Sequence, residues 1–139
     1  MKLNVILIAL IAITGCSRHD PAQAVLSLAF PGCQPHSLRE MRHHESGLRE
    51  QVDELFFRVD PSELKEALSQ AGFVRDDTIP VQIRSANSSF KDLIGSSARA
   101  DAIGYRRADL TIYDGKCCHL LCASDFTWVY LVYVDYGNS

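Results

Sequence analysis

No stretch of this 139-residue chain is long and apolar enough to cross a bilayer as a helix. The longest apolar run, Leu3 to Ile13, is broken by Asn4 and falls short of the roughly 20 residues a span needs. Basic residues are not in excess either: 14 Lys and Arg stand against 17 Asp and Glu, a formal charge of −3. That balance argues against a nucleic-acid binder and against a polybasic membrane surface. Arg84, Lys91, Arg99, Arg106 and Arg107 lean basic, but Asp92 and Asp101 interrupt them and a solvated surface explains them. Repeats, heptads and low-complexity tracts are missing, which excludes solenoids and coiled coils. Catalytic signatures are missing as well. Ser88, Ser89, Ser96 and Ser97 sit in no G-x-S-x-G elbow, and turn chemistry accounts for them. No C-x-x-C follows a strand and opens a helix.

What is present begins at the N-terminus. Lys2 followed by a short apolar run reads as a secretory leader. Ile13-Thr14-Gly15-Cys16 closes the run and resembles the lipobox of bacterial lipoproteins. The resemblance implies diacylglyceryl transfer to the Cys16 thiol, cleavage after Gly15 and acylation of the new Cys16 amine. Ser17, where an Asp would mark retention, resembles outer-membrane sorting in a Gram-negative cell. The expectation is therefore a signal peptide over 1–15, an anchor and tether over 16–35, and one α+β domain over 36–139. The bilayer is then a partner through acylated Cys16, on the periplasmic face of the outer membrane.

Four cysteines remain after Cys16: Cys33, Cys117, Cys118 and Cys122. An even number in an exported chain suggests two disulfides. Pairing Cys117 with Cys118 demands a strained ring and ranks last. The other two connectivities join Cys33 to one of the adjacent pair and Cys122 to the remaining one. A bond from Cys33 to that pair closes more than 80 residues, worth roughly 4 kcal/mol in the chain-entropy picture. A metal site is the rival, because Cys117, Cys118, His119 and Cys122 are soft ligands. Cys118 and Cys122 have zinc-like spacing but no second, separate pair exists, so no metal or other cofactor is expected.

Asp20-Pro21-Ala22-Gln23 has the form of a helix start, and Pro31-Gly32 stops it; a docked helix and a spacer both fit. Residues 36–50 fit a helix or an exposed strand, and His43-His44 within them read as solvated. Leu55 to Val59 reads as a strand. Asp60-Pro61-Ser62-Glu63 then caps a helix whose Leu64, Ala67, Leu68 and Ala71 form one stripe, ended by Gly72. This strand–cap–helix–Gly pattern looks like one that recurs in small uncharacterised bacterial lipoproteins.

Residues 79–83 suggest an edge strand, and 85–104 a loop or a short helix near 90–94. Ala108, Leu110 and Ile112 alternate with polar neighbours as a strand would, and Phe126 to Val134 reads as a central strand. Between them, residues 114–125 are expected as a cysteine-cross-linked loop in preference to an extra strand over 116–121. The fold class that results is α+β: a disulfide-stapled antiparallel sheet of three to five strands, with one principal helix (about 61–71) on one face.

Trp128 and Tyr130 are assigned to the core. Tyr113 and Tyr136, near strand ends, are the interface candidates, since exposed tyrosines anchor protein contacts. The five histidines are scattered and Asp76-Asp77 follows a helix stop, so an enzyme is disfavoured. The functional expectation is an anchored envelope protein that binds another protein. Toxin neutralisation, as in immunity lipoproteins, is the first alternative, and a structural role or a small enzyme without a motif the second.

Overall fold

The computed structural model describes residues 20–79, 90–95 and 100–137. The leader, the lipobox with Cys16, the end of the 79–83 segment and the four serines considered above lie outside the described residues.

Local capping chemistry builds the two helices. Asp20 accepts from Ala22 N (3.0 Å) and Pro21 opens helix α1, Pro21–Ala29. Asp60 accepts from Ser62 N (3.1 Å) and Pro61 opens α2, Pro61–Ala71. Gly72 ends α2 in the left-handed region, φ 81°, as a C-terminal glycine does. Glu63 does not close a capping box. Its Oε2 instead accepts from His36 N (3.2 Å) and Ser37 N (2.8 Å), fastening the incoming chain to the helix start.

Six strands form one antiparallel sheet among the described residues: β1 (Arg39–Ser46), β2 (Gln51–Arg58), β3 (Phe73–Arg75), β4 (Ile103–Arg107), β5 (Lys116–Cys122) and β6 (Trp128–Asp135). Their order is β1-β2-β6-β5-β4-β3. One face buries Leu55, Phe57, Leu120, Val129 and Leu131 beneath α1 and α2. The other buries Phe56, Leu121, Trp128 and Tyr130 beneath Ile79, Phe90 and Ile94, the last at the end of a one-turn helix α3, Lys91–Ile94. Phe90 meets Tyr130 edge-on at 5.9 Å between ring centres. The edge strand β1 is bulged between Arg39 and Arg42 and is densely charged, both of which discourage edge-to-edge pairing.

α1 is a docked helix. Leu26 and Phe30 are fully buried, each worth roughly 2 kcal/mol of burial. α1 lies against β1, while its last carbonyls reach β4. There Arg107 Nη1 donates to Leu28 O (2.7 Å) and Ala29 O (3.4 Å), satisfying acceptors that a helix end leaves open. The same guanidinium forks onto Asp109: Nε donates to Oδ1 at 2.9 Å, and Nη2 donates to Oδ2.

Four expectations are corrected. Among the described residues the sheet has six strands, not three to five, and two helices share one of its faces. Residues 108–111 are turn and coil, followed by a 3-10 turn at Ile112–Asp114. β4 ends at Arg107, with Ala108 N still donating to Gly72 O (3.1 Å), so the alternation beyond it marks no further strand. The segment expected as a loop is β5, paired to β4 and β6 on both sides. Finally, among the described residues no disulfide staples the fold: Cys33, Cys117, Cys118 and Cys122 are free thiols. Strand geometry rules out bridges within β5. Cys117 and Cys118 point to opposite faces of β5. Cys118 and Cys122 share a face, but four residues of strand separate their Cα atoms by about 13 Å, beyond the roughly 7 Å a bridge spans.

A candidate interaction rim

The ladder brings three connections to one end of the sheet. Asp135 of β6 pairs with Gln51 of β2 on one side and Lys116 of β5 on the other. The β1–β2 turn (47–50), the exit of β6 (136–137) and the 3-10 turn before β5 therefore lie side by side. Each presents an apolar side chain to solvent. Leu48 and Tyr113 are fully exposed and Tyr136 is 42 % exposed.

Backbone constraints hold these side chains out. Gly47 sits at φ 112°, and a Cβ there would lie 1.9 Å from Glu50 O, so only glycine fits this turn. Tyr136 N donates to Gly115 O at 2.7 Å. A Cβ on Gly115 would approach Gly137 O to 3.2 Å, so the two connections are in close contact. Thr111 O–H donates to Asp114 Oδ2 (2.7 Å) and Asp114 N to Thr111 O (3.0 Å), which fixes the turn bearing Tyr113. The Tyr136 phenol lies near the Cys117 thiol. Partial burial, Cys117 and nearby Glu50 raise the Tyr136 phenol above its ordinary range. Both tyrosines singled out from the sequence meet here. Leu48 escaped that reading, though a lone Leu between Gly47 and Arg49 in a polar stretch was an available signal.

The remaining chemistry-bearing residues are engaged elsewhere. His43 and His44 point to opposite faces of β1, but neither stands alone in solvent. His43 Nε2 lies 2.7 Å from Asp53 Oδ1, and Gln51 Nε2 donates to Asp53 Oδ2 at 3.1 Å. His44 Nδ1 lies 3.3 Å from Glu54 Oε2, whose Oε1 accepts from the Tyr130 hydroxyl. Among the described residues no Ser, Thr or Cys is hydrogen-bonded to either imidazole, so neither pair has an adjacent nucleophile. His119 is lowered by burial, against the opposing pull of Asp76. Asp76 itself takes Thr78 N (3.0 Å) and the Thr78 hydroxyl (2.6 Å), and those bonds hold its carboxyl below the usual range.

Among the described residues no group of three or more His, Cys, Asp or Glu could hold a metal ion. β5 splits the cysteine–histidine run, placing Cys117 and His119 on one face and Cys118 and Cys122 on the other. A groove of about 600 Å³ runs between α2 and the 32–38 connection. Its polar groups are taken up by one another: Glu63 by His36 and Ser37, Gln34 by Ser27 and Gln23, Glu66 by Gln70.

The thiols differ from reactive ones. Burial raises Cys33 and Cys117, lifts Cys118 far above its ordinary range, and pushes Cys122 up to about 12. Iodoacetamide at mildly alkaline pH is therefore expected to leave Cys118 and Cys122 unmodified in the native protein. In strong denaturant without reductant all four thiols should label, as read by intact mass. A deficit of two labels would reinstate a disulfide.

No family model, curated protein or solved structure matches this chain.

Proposed function

We propose that this chain is a membrane-anchored envelope lipoprotein that serves as a protein-binding module, with Leu48, Tyr113 and Tyr136 as its contact residues. One observation carries the reading: three large apolar side chains are held in solvent at a single end of the sheet, on turns whose shapes are fixed. Side chains held this way lose little entropy on docking, and Tyr is enriched among residues that dominate binding energy. Among the described residues, Glu63, the His43–Asp53 pair and Glu54 are already engaged within the fold.

The test is in-cell crosslinking of the tagged full chain, followed by identification of what copurifies. The parent should recover a specific envelope or incoming protein. Leu48→Ala with Tyr113→Ala should reduce its yield roughly 30-fold or more, since a central anchor contributes about 2 kcal/mol. Recovery of no specific partner, or equal recovery by the double variant, would remove this reading.

A further inference from the structure

The rim's charges define what it meets. Glu45 and Glu50 flank the β1–β2 turn, Asp114 lies beside Tyr113, and Asp135 precedes Tyr136. Arg49 and Lys116 are the cations among them. None of these six forms an ion pair with another described residue. Carboxylates in excess of cations thus lie on the same connections as the three apolar side chains, with no ion pair to another described residue.

We infer that the rim's partner is a protein surface with an apolar hollow bordered by Lys and Arg. The inference rests on the binding reading above and adds the chemistry of the occupant. An apolar centre with a charged border is the usual anatomy of a protein contact, and border charges set partner choice and encounter rate. An anionic bilayer surface is the wrong sign for this border. A second copy of the chain would bring like charges together along the same border.

The experiment uses the full anchored chain in its own envelope. Tyr113→p-benzoylphenylalanine preserves an aromatic ring at the rim and crosslinks whatever touches it. The same replacement at Ser124, exposed in the β5–β6 turn at the opposite end of the sheet, is the control. The expected result is one discrete protein adduct from position 113 and none from position 124. The crosslinked peptide and its flanks should hold more Lys and Arg than Asp and Glu. Combining Glu50→Lys with Asp135→Lys should lower adduct yield about tenfold, as reversal of border charges slows encounter and repels the partner. Urea midpoints of the variants, matched to the parent, establish that they fold.

Adducts to phospholipid alone, adducts between two copies of the chain, or an acidic crosslinked peptide would overturn the inference. So would a yield indifferent to charge reversal. If Leu48→Ala abolishes the adduct while charge reversal leaves it intact, the binding reading stands and the basic partner falls. If neither change matters, or no adduct forms, both fall.

Discussion

Arg107→Ala is expected to lower the free energy of unfolding by about 3 kcal/mol, read from urea denaturation. Arg107 is only 7 % exposed, yet it lies at the end of β4 with its guanidinium against the last turn of α1. Truncation would strip Leu28 O and Ala29 O of their donor and leave a void beside the last turn of α1. Both losses act on one device, the docking of α1 across the sheet. Asp109 shares the fork but is itself 59 % exposed at its side chain. Asp109→Asn should therefore cost less than about 1 kcal/mol, as exposed partners of ion pairs do. Arg107→Lys should fall between the two, because a single ammonium cannot reach the helix carbonyls and Asp109 in the same fork. Amide exchange at Val25 and Leu26 should rise with Arg107→Ala, since α1 loses its tie to β4. Equal losses from Asp109→Asn and Arg107→Ala would mean that the ion pair, not the helix end, matters.

Arg107 also illustrates why part of the fold was illegible. α2 announced itself because Asp60, Pro61 and Gly72 are local signals whose effect needs no partner. β6 was readable because it is apolar on both faces over seven residues, Trp128 to Val134, which only a central strand of that length tolerates. β4 (Ile-Gly-Tyr-Arg-Arg) has neither alternation nor a β-branched run. It is a strand because β3 and β5 pair with it, and its Arg107 is buried because α1 supplies acceptors 78 and 79 residues away. Those causes are tertiary. β5 failed for another reason: its cysteines were weighed as cross-links rather than as small hydrophobes. Cys118 and Cys122 are buried beside Leu120 and behave as core side chains. At β1 the sequence Arg-Glu-Met-Arg-His-His-Glu-Ser carries no period, so helix and strand were indistinguishable until β2 paired with it. The rim was half legible. A tyrosine beside the Asp114-Gly115 turn signal could be placed near a strand end, whereas only the register brings Leu48 to the same end.

Cys16→Ala is expected to move the protein out of the membrane fraction almost completely and to abolish labelling by an alkyne fatty acid. The argument begins with chain energetics. One acyl chain holds a protein to a bilayer only marginally and reversibly, while each further buried methylene adds about 0.8 kcal/mol. The lipobox resemblance implies a diacylglyceryl group plus an amide-linked chain on Cys16, so the substitution removes every chain together. No helix among the described residues is long and apolar enough to cross a membrane in its place. Stability should hardly move, because the capping of α1 begins at Asp20 and its docking relies on Leu26, Phe30 and Arg107. A urea midpoint equal to the parent's would separate loss of anchor from loss of fold. The position of the anchor also bears on the rim. Only residues 17–19 lie between Cys16 and Asp20, and a fully extended chain over that interval reaches about 14 Å. An acylated Cys16 would thus hold the N-terminus of α1 close to the bilayer, and Arg107 would hold the sheet to α1. Partner capture by the rim should then depend on Cys16 when the partner is itself confined to the envelope. Unchanged fractionation and fatty-acid labelling in Cys16→Ala would reduce the N-terminus to an ordinary leader and free the binding reading from any anchor.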